Sequence, residues 1–173
     1  MPQPTDVAIL PPTPDWADPW GHPEYYAGIT VRRILAYALD GAIVLVLAGI
    51  VWIAFGILGV LSFGVLLPLH ALAVALVPFL YHSLLISGPN SATLGMRAIG
   101  IRVVSIDPAA VGDGRPTLIQ AMIQTVSFYG SLALTGSLVL VVALFNPRRR
   151  TLHDLLAGTV VVNDIGRWRH QAD

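Results

Sequence analysis

The sequence predicts an all-α membrane protein, a small multi-pass helical bundle with a short polar loop, and three observations predict it. Apolar residues make up 55% of the 173 residues and charged residues 12%, against about 25% charged in an ordinary soluble domain. The apolar residues are gathered into Ile34–Ile86 and Thr117–Phe145 rather than spread along the chain. Arg residues flank those stretches: Arg32 and Arg33 before the first, Arg97, Arg102 and Arg115 between them, Arg148, Arg149 and Arg150 after the second. A chain of this size cannot bury so much apolar surface in one core, so the stretches are expected in a bilayer.

Residues 1–28 hold seven Pro and no apolar period. They are expected to form a disordered, Pro-rich cytoplasmic arm, with Trp16, Trp20, Tyr25 and Tyr26 able to rest at the headgroup level. This arm lacks the basic and apolar regions of a cleaved signal, so the first span is expected to serve as the targeting signal. Residues 29–163 form the transmembrane domain, and 164–173 a polar tail.

Ile34–Ile86 has room for two spans of about 20 residues. The Gly56, Gly59, Ser62 and Gly64 cluster marks the turn, giving helices near Ile34–Phe55 and Leu61–Ser87, the second kinked at Pro68 and Pro78. In the polar stretch Gly88–Pro116, Thr93 is placed to cap a short helix through Ala98. Ile101–Ile106 reads as a strand, and Thr159–Val162 has the same β-branched character, so the two can pair into a small ribbon. Thr117–Phe145 is uncharged and longer than one upright span, so it is either one tilted helix or one broken at Gly130 or Gly136. Three simple crossings would put Arg148–Arg150 outside, against the positive-inside rule, whereas a re-entrant break returns them to the cytoplasm.

Asp40 lies about 9 Å along the first span at about 1.5 Å per residue. A carboxylate at a span centre costs about 2.5–3.5 kcal/mol to insert, so it is protonated or paired, as a functional site or as interhelical glue. Arg33 shares its face but is about 10.5 Å away along the axis, too far for a direct bond. Antiparallel pairing sets Asp40 level with Tyr81 and His82, its candidate partners, and Arg97 is a further one. His70 is expected to hydrogen-bond locally. Gln120, Gln124, Ser127, Ser131 and Thr135 recur at helical spacing as a polar stripe, facing either another helix or a hydrated path. Thr151 and Asp154 have capping-box spacing, with Gly158 ending that helix.

Three stretches resemble the RDD family of membrane proteins: Arg33 through Asp40, Thr93-Leu94-Gly95-Met96-Arg97 leading into Ile101–Val104, and Leu152-His153-Asp154 through Thr159. The resemblance covers about residues 30–163. It implies a multipass membrane domain whose signature residues are Arg33, Asp40 and Asp154. Met96 departs from the family pattern, in which a basic residue is frequent.

The net charge is zero, with ten Arg and no Lys against ten acidic residues, so no nucleic-acid partner is expected. With no Cys and no metal-ligand spacing, neither a metal nor a cofactor is expected. The absence of a nucleophile–base pair or phosphate-binding loop points away from an enzyme. Two functions are left. Proton- or cation-coupled transport through Asp40 would need an oligomer to enclose a path, packed through Ala38 and Ala42 or the Gly41–Gly49 face. An accessory or scaffold role would use buried charges for helix packing and bind a membrane-protein partner. The expected location is the cell membrane with the N-terminus in the cytoplasm.

Overall fold

A computed structural model describes residues 15–107, 114–135 and 148–165. It is mostly helical: α1 Ile29–Leu61, α2 Leu67–Ile86, α3 Leu94–Ile99, β1 Ile101–Ser105, α4 Leu118–Thr135, α5 Leu152–Ala157 and β2 Thr159–Asn163. Among the described residues α1 and α2 are long and apolar enough to cross a membrane, with mean hydropathies of 2.8 and 1.9 in their spans. Only 6% and 22% of their most apolar windows are buried, so neither is the core helix of a globule.

Helix α1 extends beyond the expected Ile34–Phe55 at both ends, because Gly56 and Gly59 lie inside it rather than in the turn. The chain reverses over Ser62–Leu66, where Phe63 and Gly64 take left-handed φ of 50° and 90°. The Ser62 hydroxyl donates to the Gly59 carbonyl and accepts from Leu66 N–H, at 3.1 Å each, joining the two helices. Pro68 does not kink α2; it sits in the first turn, where a missing N–H costs nothing. Pro78 is inside α2. Helix α4 runs through Gly130 without a break, while Gly136 and the rest of the segment to Phe145 lie outside the described residues. Arg149 nevertheless lies beside Arg33, at the α1 start, so the path from Thr135 ends at the end of the bundle where α1 begins.

β1 and β2 pair antiparallel, Val103 opposite Val161, as the β-branched runs predict. With α3 and α5 they form a small cap on the helices. One face of the ribbon, with Ile101, Val103 and Val161, joins Ile29, Ala36, Ile86, Met96 and Ala121 in the main core. The other, with Val104, Val160 and Val162, is covered by Trp16, Tyr25 and Tyr26, as period-2 alternation requires. The expectation of a disordered arm to residue 28 is therefore corrected for 15–28. Two short 3-10 turns, Asp15–Ala17 and Pro23–Tyr25, carry these rings onto the ribbon. Asn163 Nδ2 ties them down by donating to the Glu24 and Ala27 carbonyls at 2.8 and 3.0 Å. Trp20 alone of the four aromatics is left 81% exposed. Residues 1–14 and 166–173 are outside the described residues.

The cap has a pseudo-twofold axis through the Val103–Val161 pair. Each residue n from Ser91 to Ser105 corresponds to n + 58 in the second half, and the equivalences are detailed. Thr93 and Thr151 are N-caps, and Gly100 and Gly158 end the two short helices in left-handed conformation. Ser91 and Arg149 both take positive φ, 47° and 49°. Ile106 N–H donates to the Gly158 carbonyl and Asp164 N–H to the Gly100 carbonyl, each at 3.0 Å.

Candidate functional site

The buried face of α1 is Ile29, Arg33, Ala36 and Asp40, residues three or four apart that share one side of a helix. This face lies against the cap, and each of its two charged groups meets one half of the repeat.

Asp40, 1% exposed, accepts three hydrogen bonds. Tyr81 Oη donates to Oδ1 at 2.7 Å, Gly95 N–H to Oδ1 at 2.8 Å and Thr93 Oγ1 to Oδ2 at 2.6 Å. Thr93 Oγ1 also accepts from Met96 N–H at 3.2 Å, capping α3. Of the expected partners Tyr81 is present. His82 is not one: its Nδ1 lies 3.0 Å from the Pro78 carbonyl. Arg97 is not one either, its Nε donating to the Ala92 carbonyl at 3.0 Å. Contacts from Thr93 and Gly95 were not anticipated.

Arg33 pairs with Asp154, both almost fully buried. The guanidinium also donates to the Arg149 carbonyl at 2.9 Å and to Thr151 Oγ1 at 3.3 Å. Asp154 further accepts Thr151 N–H at 3.0 Å, Thr151 Oγ1 at 2.8 Å and Gln124 Nε2 at 3.2 Å. The capping box is formed as its spacing predicts. Burial alone would raise the Asp154 carboxyl, but Arg33, His153 and the Thr151 N–H hold it below the ordinary carboxylate value.

His153, 1% exposed, lies with Nε2 at 2.8 Å from Thr151 Oγ1 and 3.3 Å from Tyr37 Oη. Since the Thr151 proton goes to Asp154, Nε2 carries the hydrogen and Nδ1 keeps its lone pair. Nδ1 has no partner among the described residues. Burial, with the positive Arg33 and against the pull of Asp154, pushes the imidazole down to about 4. Thr151 and His153 have the separation of a nucleophile and its base, but both are sealed from solvent.

The polar stripe of α4 faces protein at its first two members: Gln120 Nε2 donates to Ser105 Oγ at 2.8 Å and Gln124 meets Asp154. Ser131 Oγ donates back to the Phe128 carbonyl of its own helix at 2.9 Å. Ser127 is half-buried, and the Thr135 side chain lies outside the described residues. His70 does not hydrogen-bond locally. Its ring packs on Trp52 at 5.6 Å, and Nε2 is unpartnered among the described residues. No group of three metal-ligating side chains occurs among the described residues.

The repeat makes the two centres comparable. The third helical position holds Asp154 in α5 and Met96 in α3. Where the cap supplies a carboxylate, α1 supplies Arg33; where the cap has none, α1 supplies Asp40. Both carboxylates accept the N-cap Thr hydroxyl and one backbone N–H near the start of a short helix. The family model for RDD matches residues 26–158. The chain belongs to the RDD family. No curated protein and no solved structure matches it. Arg33, Asp40 and Asp154, the residues the resemblance singles out, lie in these two centres, and the matched stretch takes in both halves of the repeat up to Gly158.

Proposed function

We propose that this RDD protein is a non-enzymatic integral membrane protein of the cell membrane, an accessory or scaffold component in which the signature charges lock the helices to a cytoplasmic cap. In this reading α1 and α2 cross the bilayer, and Gln120, near the start of α4, and Arg148 both stand on the cap side. The N-terminus is then cytoplasmic, which sets Arg32, Arg97, Arg102, Arg115 and Arg148–Arg150 on the positive side.

The observation that carries the reading is the saturation of both carboxylates by donors within the fold. A transport acid must exchange its partners for water or ion as the path alternates. Asp40 instead joins α1, α2 and α3, and its release would leave the Thr93 hydroxyl, the Gly95 N–H and the Tyr81 hydroxyl without their acceptor. Buried charge of this kind fixes which helices pack and in what register. A membrane-protein partner, or further copies of the chain, would then dock on the exposed faces of α1 and α2.

The test is proton and cation flux in proteoliposomes of the purified protein beside an Asp40→Asn variant of equal fold. Absence of flux from well-inserted protein is the expected result. Flux present in the wild type and lost in Asp40→Asn would replace this reading with transport through Asp40.

A further inference from the structure

We infer that the cleft between α1, α2 and α4 binds an uncharged, lipid-soluble ring carrying a hydrogen-bond acceptor, the chemistry of a quinone. The cleft has a volume of about 300 Å³ and is lined by Tyr37, Ala38, Gly41, His82, Phe128, Tyr129 and Leu132. That is the lower end of the range for small-molecule sites. Its lining contains no Asp, Glu, Lys or Arg.

The walls are flat. Tyr37 stacks on Phe128 with ring centroids 5.0 Å apart, and His82 meets Tyr129 edge to face at 5.6 Å. Aromatic walls of this kind take a planar guest by offset stacking or edge contact. The room comes from α1: a Cβ at Gly41 would meet nothing within 4 Å. Ala38 and Gly41 are both exposed, so the mouth of the cleft lies on the apolar surface of α1, where a guest dissolved in lipid would arrive.

Hydrogen-bond accounting supplies the polar anchor. His82 Nδ1 lies 3.0 Å from the Pro78 carbonyl. A carbonyl only accepts, so Nδ1 carries the hydrogen. The Tyr129 hydroxyl lies 3.3 Å from the same nitrogen, which has no lone pair left to offer. Tyr129 therefore keeps its own O–H for another acceptor, and among the described residues no acceptor takes it. A ring carbonyl fits that donor. The site is separate from Asp40, which is not part of the lining.

Full-length protein in nanodiscs, titrated with a para-benzoquinone bearing a decyl tail and with decanol as the partition control, tests the assignment. A saturable rise in thermal midpoint with the quinone and none with decanol is expected. Tyr129→Phe, which keeps the ring and loses the donor, should weaken binding by about tenfold, the worth of one hydrogen bond. Gly41→Leu should abolish binding with the unliganded midpoint unchanged, and Ala38→Leu fills the same space if Gly41→Leu proves unstable. No saturable rise in the wild type, equal rises in wild type and variants, or a rise produced by tetraethylammonium and not by the quinone would overturn it.

Discussion

Asp40 Oδ1 accepts the N–H of Gly95 at 2.8 Å, and a Cβ at Gly95 would stand 2.8 Å from that carboxylate and overlap the Ala36 carbonyl. The contact that holds α3 to α1 thus exists only because residue 95 has no side chain. Gly95→Ala should lower stability by about 1–3 kcal/mol through overpacking. Tyr81→Phe, which removes one donor and leaves the packing, should cost about 1–2 kcal/mol. Denaturant unfolding in mild detergent, followed by far-UV circular dichroism, measures both. A neutral Gly95→Ala would mean that α3 does not sit on α1 this closely.

The Arg33–Asp154 centre makes a different prediction. Removing one partner strands the other charge in a buried site, so Arg33→Met and Asp154→Asn should each cost about 3–5 kcal/mol. The combination of Arg33→Met with Asp154→Leu should cost clearly less than the sum. Arg33→Lys should not rescue, because a single ammonium cannot reach the Arg149 carbonyl, Thr151 Oγ1 and Asp154 together as the planar fork does. The same unfolding assay, run as a double-mutant cycle, gives the coupling directly.

His153 sets an acid limit on the cap. Its folded value is pushed down to about 4 from an ordinary 6.5, so between those pH values the unfolded chain binds one more proton than the folded one. Stability is full above about pH 6.5, falls by about 1.4 kcal/mol per pH unit on acidification, and levels off near pH 4. Asp154, held below its ordinary 3.8, adds a further loss only below about that pH. Thermal midpoints from pH 7 to 4.5 should fall in the wild type and stay nearly flat in His153→Asn.

The orientation is open to labelling because the chain has no native Cys. Phe63 at the α1–α2 turn is 98% exposed and Trp20 on the cap side 81% exposed. Phe63→Cys should react with an impermeant maleimide in intact cells, and Trp20→Cys only after permeabilisation. The reverse pattern would turn the proposed topology over.

Much of the fold was legible because its signals are local. Apolar run length gave α1 and α2, Thr93 and Thr151 gave the caps of α3 and α5, and β-branched runs gave the ribbon. Antiparallel pairing of the first two spans set Tyr81 level with Asp40. What could not be read were the contacts of α1 with the cap. Spacing within one helix gives Arg33 no partner, because its partner Asp154 is on α5. The ordering of residues 15–28 depends on an uncovered ribbon face that exists only once β1 and β2 have paired. One overlooked signal was present: the pattern Pro-x-x-x-Thr-Leu with Gly and Val-Val downstream begins at Pro89 and again at Pro147, and it would have disclosed the repeat and the pairing of α1 with both halves.

The sequence separation of the two centres gives them an order in biosynthesis. The Asp40 contacts reach 55 residues along the chain, to Gly95, while Arg33 must wait 121 residues for Asp154. A nascent chain can therefore close the first centre and dock α3 while Arg33, near the start of α1, still lacks its counter-ion. A chain cut short before Asp154 would keep, without its counter-ion, a cation that the finished fold buries to 3% exposure.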